Sequence, residues 1–383
     1  MYSGGYTGKI LRVNLTSKTA QEEKLPLAVA KDFIGGAGLG MKYLFDEVKP
    51  GTDALGPDNK LIFAPGPFTG TSIPCASRMA VVGKSPLTGA VGNALTGGYF
   101  PAELKFAGWD AVIVEGKAEK PTWVSIKDSS VRFHDAGSLW GTMTFDCQQM
   151  IKDNLNDQNT RIICIGPAGE RLSKIACIIN ERRAAGRKGL GAVMGSKNLK
   201  AIAVRGTGKV AITSEEKYRA ARSEMLKAFK ESPVLYSAFS PAGTPMVVDL
   251  TGALGILSAK NWSATGEFVP VDQLGLDAQN TRKIGKEHCY DCPVGCSQMK
   301  LAKTGPYAGI LTEGPEFETI YSFGTQTGVV NLDAVIAADR LADELGLDSM
   351  SAGVTIGFAM ELFERGILTP ADTGGIDLKF GND

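Results

Sequence analysis

Short runs in which apolar and polar residues alternate, or in which Val and Ile cluster, fill the first two hundred positions and predict strands. They fall at 9–15, 61–64, 79–82, 111–115, 122–127, 161–165, 174–179 and 201–205, each bounded by glycine or polar turn residues. Helical spacing is scarce in this half and is confined to 28–34, 40–48 and 144–154.

Past residue 208 the period changes. Thr213-Ser214-Glu215-Glu216 has the form of a capping box, and Tyr218, Ala221, Met225 and Phe229 then share one face until Pro233. The stretch 332–345 carries Leu332, Val335, Ile336, Ala342 and Leu345 on one stripe, with Gly346 as its C-terminal stop. A further helix is predicted at 352–365, stopped by Gly366. The pattern predicts an α+β chain: a sheet-rich domain over 1–208 and a mainly helical one over 209–383. The closing Phe380-Gly381-Asn382-Asp383 reads as a cut between elements.

Charge narrows the range of partners. Lys plus Arg equals Asp plus Glu at 41 each, and no run of like charge occurs, so neither nucleic acid nor an acidic membrane surface is expected. No apolar run approaches the roughly 20 residues that span a bilayer, and Met1-Tyr2-Ser3-Gly4-Gly5 lacks the apolar core of a signal peptide. Only two histidines are present, which disfavours a histidine-built metal enzyme. The 47 glycines imply either many tight turns or backbone that approaches a ligand closely. Seven cysteines, three of them crowded together, suit a reducing cytoplasm better than a secreted disulfide framework.

Those three form Cys289-Tyr290-Asp291-Cys292-Pro293-Val294-Gly295-Cys296, a C-x2-C-x3-C loop. Zinc would want a second such pair or two histidines, and only His288 is adjacent. Three bare thiols without a cofactor would be a redox liability. The spacing reads as ligation of a [4Fe–4S] cluster, which takes four ligands, often three from one loop and the fourth from far along the chain. No cysteine follows Cys296.

Two glycine-rich basic segments suit phosphate: Ser77-Arg78-Met79 after Phe68-Thr69-Gly70-Thr71, and the denser 180–191 with Arg182, Arg183, Arg187 and Lys188. Gly83-Lys84-Ser85 lacks the first glycine of a P-loop, and Gly35–Gly40 misses the dinucleotide fingerprint. Asp343-Glu344-Leu345-Gly346-Leu347-Asp348 sets an acid at a helix C-terminus, where the helix dipole disfavours it; a surface carboxylate or a partner for a guanidine-like ring edge are both open. Glu313-Gly314-Pro315-Glu316-Phe317-Glu318 groups acids near the cysteine loop. If extended, it would set Glu316 and Glu318 on one face.

Together these segments resemble the tungsten-dependent aldehyde:ferredoxin oxidoreductase family. The likeness runs from Gly8-Lys9-Ile10-Leu11-Arg12-Val13-Asn14-Leu15 onward and is most specific at 84–89, Gly97-Gly98-Tyr99-Phe100, 103–110, 184–187, 195–201, the cysteine loop and 343–348. It implies a sheet platform under a tungsten atom held by two pterin dithiolenes, with Mg2+ between their phosphates and a [4Fe–4S] cluster alongside. By that resemblance Arg78 links pterin and cluster, and Leu95 and Gly97 lie in one pterin loop. Arg183, Ala184, Gly186 and Arg187 form the phosphate and magnesium segment. Asp343, Leu347 and Asp348 belong to a second pterin loop, Cys289, Cys292 and Cys296 bind the cluster, and Glu318 is the catalytic carboxylate near tungsten. Leu95 stands where some members have asparagine, and Ala337 where some have a glutamate for an iron between subunits. The implied activity is oxidation of aldehydes to carboxylic acids with electrons passed to ferredoxin, in an anaerobic cytoplasm. Reduction of aromatic acyl thioesters, or a non-catalytic electron-transfer subunit, are the alternatives. The family's later segment holds a further pterin loop, a fourth cysteine and a histidine. The expected partners are therefore a complementing C-terminal subunit or a second copy in a homodimer.

Overall fold

The computed structural model describes residues 4–383; Met1-Tyr2-Ser3 of the chain start lie outside them. Twelve strands of the sheet-rich part are β1 (Lys9–Asn14), β2 (Thr19–Lys24), β3 (Leu61–Pro65), β4 (Met79–Lys84), β5 (Val91–Thr96), β6 (Ala111–Glu115), β7 (Thr122–Lys127), β8 (Ser130–Asp135), β9 (Arg161–Cys164), β10 (Ile178–Asn180), β11 (Arg183–Ala185) and β12 (Leu199–Arg205). They form two mixed six-stranded sheets, in the orders β2-β1-β6-β3-β4-β5 and β11-β10-β9-β12-β7-β8. Among the described residues only β1–β6 and β7–β12 run parallel.

Alternation explains the layering. In the first sheet Leu11, Phe63, Val81, Val112 and Val114 point one way, into a core shared with Val124, Ile126, Ile163, Ile202 and Val204 of the second. The intervening residues Ile10, Ile62, Ala80, Val82 and Ile113 point the other way and pack with Leu39, Tyr43 and Leu44 of the helix Gly36–Glu47. The outer face of the second sheet, Trp123, Ile162, Cys164, Ala201 and Ala203, packs with Cys147 and Ile151 of the helix Thr144–Leu155. The result is helix on sheet on sheet on helix.

Buried charge is paired within these layers. Lys200 on β12 and Glu170 form an ion pair in which both side chains are almost wholly buried, and Glu170 also accepts from Gly141 N–H at 2.8 Å. Lys105 and Asp110 form another, with the ammonium held below its usual range by burial.

The chain divides into two compact units. The first comprises residues 1–228 with two returning segments, 289–293 and 343–347; the second comprises 229–288, 294–342 and 348–383. The second is mainly helical, with a core of Val248, Leu274, Ile320, Leu332, Val335 and Ile336. It also holds a small antiparallel sheet that the sequence pattern does not predict: β13 (Lys283–Glu287), β14 (Ser297–Leu301) and β15 (Leu311–Glu313). Its helices Leu332–Leu345 and Ser349–Glu364 match the periodic stretches, and Gly346 and Gly366 follow them with φ near +70°. The helix Glu215–Glu231 ends before Pro233, as the pattern predicts, and a π-helical turn, Pro233–Phe239, follows, its start capped by the Ser232 hydroxyl. Among the described residues no helix is long and apolar enough to cross a membrane.

Candidate cofactor site

Strand pairing sets the site in the first unit. Met79 opposes Thr96 and Ala80 opposes Leu95, so Arg78 and Gly97 flank one end of the β4–β5 pair. A Cβ built on Gly97 would lie 3.8 Å from Arg78 Nη1 and 2.6 Å from Cys289 Sγ. Arg78 and Leu95 are exposed, and Gly97 is buried.

The returning segment 289–293 is anchored at this point. Tyr290 N–H donates to Gly98 O at 3.2 Å, and the Ser77 hydroxyl donates to the same oxygen at 2.8 Å. The Tyr290 ring stands edge-on to Phe106 at 5.4 Å and to Tyr99 at 6.3 Å, and burial pushes its phenol pKa upward. Cys289 and Cys292 are half-buried. Cys292 Sγ lies 3.9 Å from the thiol of Cys75, an exposed residue that the motif reading leaves unassigned. Among the described residues no three His, Cys, Asp or Glu side chains converge on a single point as ligands of one ion.

The β10–β11 hairpin brings the basic segment to the same place. Asn180 pairs with Arg183 across the turn, and its side-chain amide donates to Gly97 O. Asn180 is fully buried, and among the described residues its Oδ1 has no hydrogen-bond partner. Glu181, at φ 59°, accepts from Tyr99 N–H at 3.2 Å and pairs with Arg161, whose guanidinium lies 4.6 Å from the centre of the Tyr99 ring. Arg183, Ala184 and Gly186 are half-buried and Arg187 is exposed.

The segment 343–347 docks at the other end of β10. Cys177 N–H donates to Gly346 O at 2.9 Å, Ala176 bridges Leu347, and the Thr144 hydroxyl donates to Asp343 O at 2.8 Å. Glycine is required opposite: a Cβ on Gly166 would stand 2.3 Å from Leu345 O. Arg78, Leu95, Gly97, Arg183, Ala184, Gly186, Arg187, Asp343, Leu347, Cys289 and Cys292 thus all belong to one compact unit.

Cys296, Glu318 and Asp348 belong to the second unit. Glu318 is exposed in the first turn of the helix Phe317–Phe323, so the segment is not extended, and Glu316 precedes that helix as its N-cap residue. Glu316 accepts from the hydroxyls of Thr244 and Ser297. Asp348 caps the helix Ser349–Glu364, accepting from Ser351 N–H at 3.2 Å. Behind Glu316 lies a buried polar cluster. Thr312 Oγ1 donates to Asp339 at 2.6 Å, Lys300 Nζ donates to Pro315 O at 3.0 Å, and burial pushes Asp339 up to about 6 and Lys300 down to about 8.

Cys75 is the neighbour of the cysteine loop that local motifs miss: it sits in no spacing pattern and meets Cys292 across 217 positions of the chain.

Comparison with known proteins places this arrangement. Residues 10–206 match the model of the aldehyde ferredoxin oxidoreductase N-terminal domain, and 220–383 match that of domains 2 and 3. The chain is 42% identical to a tungsten-containing aldehyde ferredoxin oxidoreductase of Pyrococcus horikoshii, over 99% of this chain and 62% of that protein. It is 31% identical to the WOR-like subunit of an aliphatic sulfonate oxidoreductase of Pyrococcus furiosus, over 99% of this chain and 62% of the relative. The active-site complex BamBC of benzoyl coenzyme A reductase, solved with 1,5-dienoyl-CoA, superposes with a TM-score of 0.88 at 29% identity, covering 97% of this chain and 58% of that one. The chain therefore spans about three-fifths of the length of these relatives. With both family models matched in order and 42% identity to a family member over 99% of its length, the chain belongs to the aldehyde ferredoxin oxidoreductase family.

Proposed function

We propose that this chain is the cofactor-holding part of a tungsten-dependent oxidoreductase that converts aldehydes to carboxylic acids and passes the electrons through a [4Fe–4S] cluster to ferredoxin. The observation that carries the reading is the meeting of Arg78, Cys289 and the Asn180–Arg183 hairpin at Gly97.

Three features fit a bispterin tungsten centre with its cluster. Asn180 Oδ1 is a buried acceptor in want of a donor, which a pterin ring N–H supplies. Arg183 and Arg187 flank glycine-containing backbone, a pairing of forked cations and N–H donors suited to phosphates joined by Mg2+. Cys289, Cys292 and Cys296 are soft thiol donors of the kind that iron–sulfur clusters take.

When bound, the tungsten centre supplies a Lewis acid and a two-electron sink for oxidation with oxygen from water. The residues of the chain do the rest. Arg78 would hold the pterin edge relative to the cysteine loop, and Leu95 and Gly97 would offer it their backbone. Asp343 and Leu347, with Asp348, hold the second pterin. Glu318, exposed in the first helical turn, accepts or returns a proton as general acid/base.

The likeness to the benzoyl coenzyme A reductase complex favours a second reading, reduction of an aromatic acyl thioester on the same frame. A non-catalytic iron–sulfur subunit is the third, since one relative is described as a subunit. A complementing subunit or a second copy of the chain are the partners this reading expects, beside ferredoxin. The balanced charge leaves no role for nucleic acid, and the clustered thiols suit an anaerobic cytoplasm.

Anaerobic purification followed by elemental analysis tests the assignment. Near-stoichiometric tungsten with roughly four iron per chain is the expected result. Iron without tungsten would move the chain to the electron-transfer reading, and neither metal would reject both.

A further inference from the structure

We propose that the outer face of the second sheet, where it runs beyond its covering helix, binds a small organic dianion, a phosphate monoester or a dicarboxylate, held chiefly by Arg132 and Lys127. Strand pairing fixes the layout. Trp123 opposes His134 and Ser125 opposes Arg132 across β7–β8, while Ser125 opposes Ala203 and Lys127 opposes Arg205 across β7–β12. Opposed residues, and every second position along a strand, share a face. Ser125, Lys127, Arg132, His134 and Arg205 therefore stand on the side of the sheet that carries Trp123 and Ala203. The helix Thr144–Leu155 covers the apolar part of that side and then stops, where Asn156 turns left-handed at φ 51°. Past its end lies a cavity of about 380 Å3, lined by these polar strand positions and by Leu155, Asn156 and Asp157. A volume of this order suits a metabolite-sized ligand.

Charge decides what fits. Lys127 and Arg205 are directly opposed cations, and Arg132 is their near neighbour on the next strand, an arrangement that costs a sheet stability. Arg205 has its counterions in the protein, Glu103 at 2.7 Å and Asp157 at 3.3 Å. Among the described residues the side chains of Lys127 and Arg132 have no hydrogen-bonded or ion-paired partner, and Asp157, already engaged, is the one acid lining the cavity. His134 registers the excess of positive charge: burial, and then the Arg132 guanidinium, hold its imidazole below the usual range. The ring stacks on Trp123 with centroids 3.9 Å apart, and its Nε2 lies 2.8 Å from Ser125 Oγ, which fixes that hydroxyl beside the cations. Two unneutralised cations, one a planar fork and the other a point charge, match a ligand with two negative charges. The cavity is separate from the segment assigned to the cofactor phosphates, since β8 and β11 are the opposite edges of the sheet.

Calorimetric titration of the 383-residue chain with glycerol phosphate and, separately, with succinate tests the site. Saturable binding of at least one is expected; tighter binding of the first makes the ligand a phosphate monoester, and of the second a dicarboxylate. Arg132→Gln and Lys127→Gln should each weaken it about tenfold or more. Both residues are exposed, so neither change threatens the fold. Arg183→Gln, in the cofactor segment, should leave the affinity as it is. The imidazole proton spectrum gives a readout without variants: the chain has only two histidines, and the resonance of His134 should move on titration while that of His288 stays. Binding of neither probe, binding indifferent to Arg132→Gln and Lys127→Gln, or binding lost in Arg183→Gln would each overturn the proposal.

Discussion

The thiol of Cys289 occupies the space that a side chain on Gly97 would need, with Sγ 2.6 Å from the position of that Cβ. Gly97 is not among the positive-φ glycines, so alanine is compatible with its backbone and probes the contact alone. Gly97→Ala should displace the cysteine loop, lower stability by about 1–3 kcal/mol through overpacking, and reduce iron uptake on reconstitution to less than half. Full iron uptake by a folded variant would show that the two residues do not share this space in solution.

Lys200 and Glu170 test how far the second sheet depends on a buried ion pair. Lys200→Met removes the cation and leaves a carboxylate whose side chain is only 5% exposed. The expected loss is about 3–5 kcal/mol, read as a fall in the urea midpoint. Lys200→Met combined with Glu170→Leu should regain part of it, because the unpaired charge is then gone; a double variant no better than the single one would contradict this account.

Asp339 should make the second unit more stable in mild acid. Burial raises its folded pKa to about 6, above the unfolded value near 3.8, so the native state retains a proton that the unfolded chain has released. The contribution is complete below about pH 4 and is lost as pH rises through about 6, on the order of 3 kcal/mol. Asp339→Asn keeps an acceptor for Thr312 and cannot titrate. Denaturation of both proteins between pH 4 and 7 should show the wild type losing stability relative to the variant; parallel curves would refute the assignment.

Glu318 separates chemistry from cofactor binding. In the complete enzyme, Glu318→Gln should lower turnover by about 10²–10⁴-fold while tungsten and iron per chain stay at wild-type levels. Loss of metal along with activity would make it a structural residue.

Much of the fold is legible in the chain because its strands are β-branched and alternate cleanly. The stretches 111–115, 122–127 and 332–345 coincide with the observed elements. Val91–Thr96 is not legible: a glycine and an asparagine interrupt its pattern, and pairing with β4 makes it a strand. The predicted strand at 174–179 shrinks to Ile178–Asn180 because Ala176 and Cys177 turn to the returning 343–347 segment instead. The site behaves likewise. The cysteine spacing and the arginines are visible locally in the chain, whereas the contacts of Cys292 with Cys75 and of Asn180 with Gly97 come only from folding.

The first unit is assembled from three separate stretches of chain, and that dictates a timetable. A ribosome finishes residue 228 well before it reaches 289–293 and then 343–347. At roughly 5–20 residues per second, both sheets exist for several seconds before Tyr290 can meet Gly98 or Gly346 can meet Cys177. During that interval Gly98 O lacks its bond from Tyr290, and Cys177 N–H lacks its acceptor on Gly346.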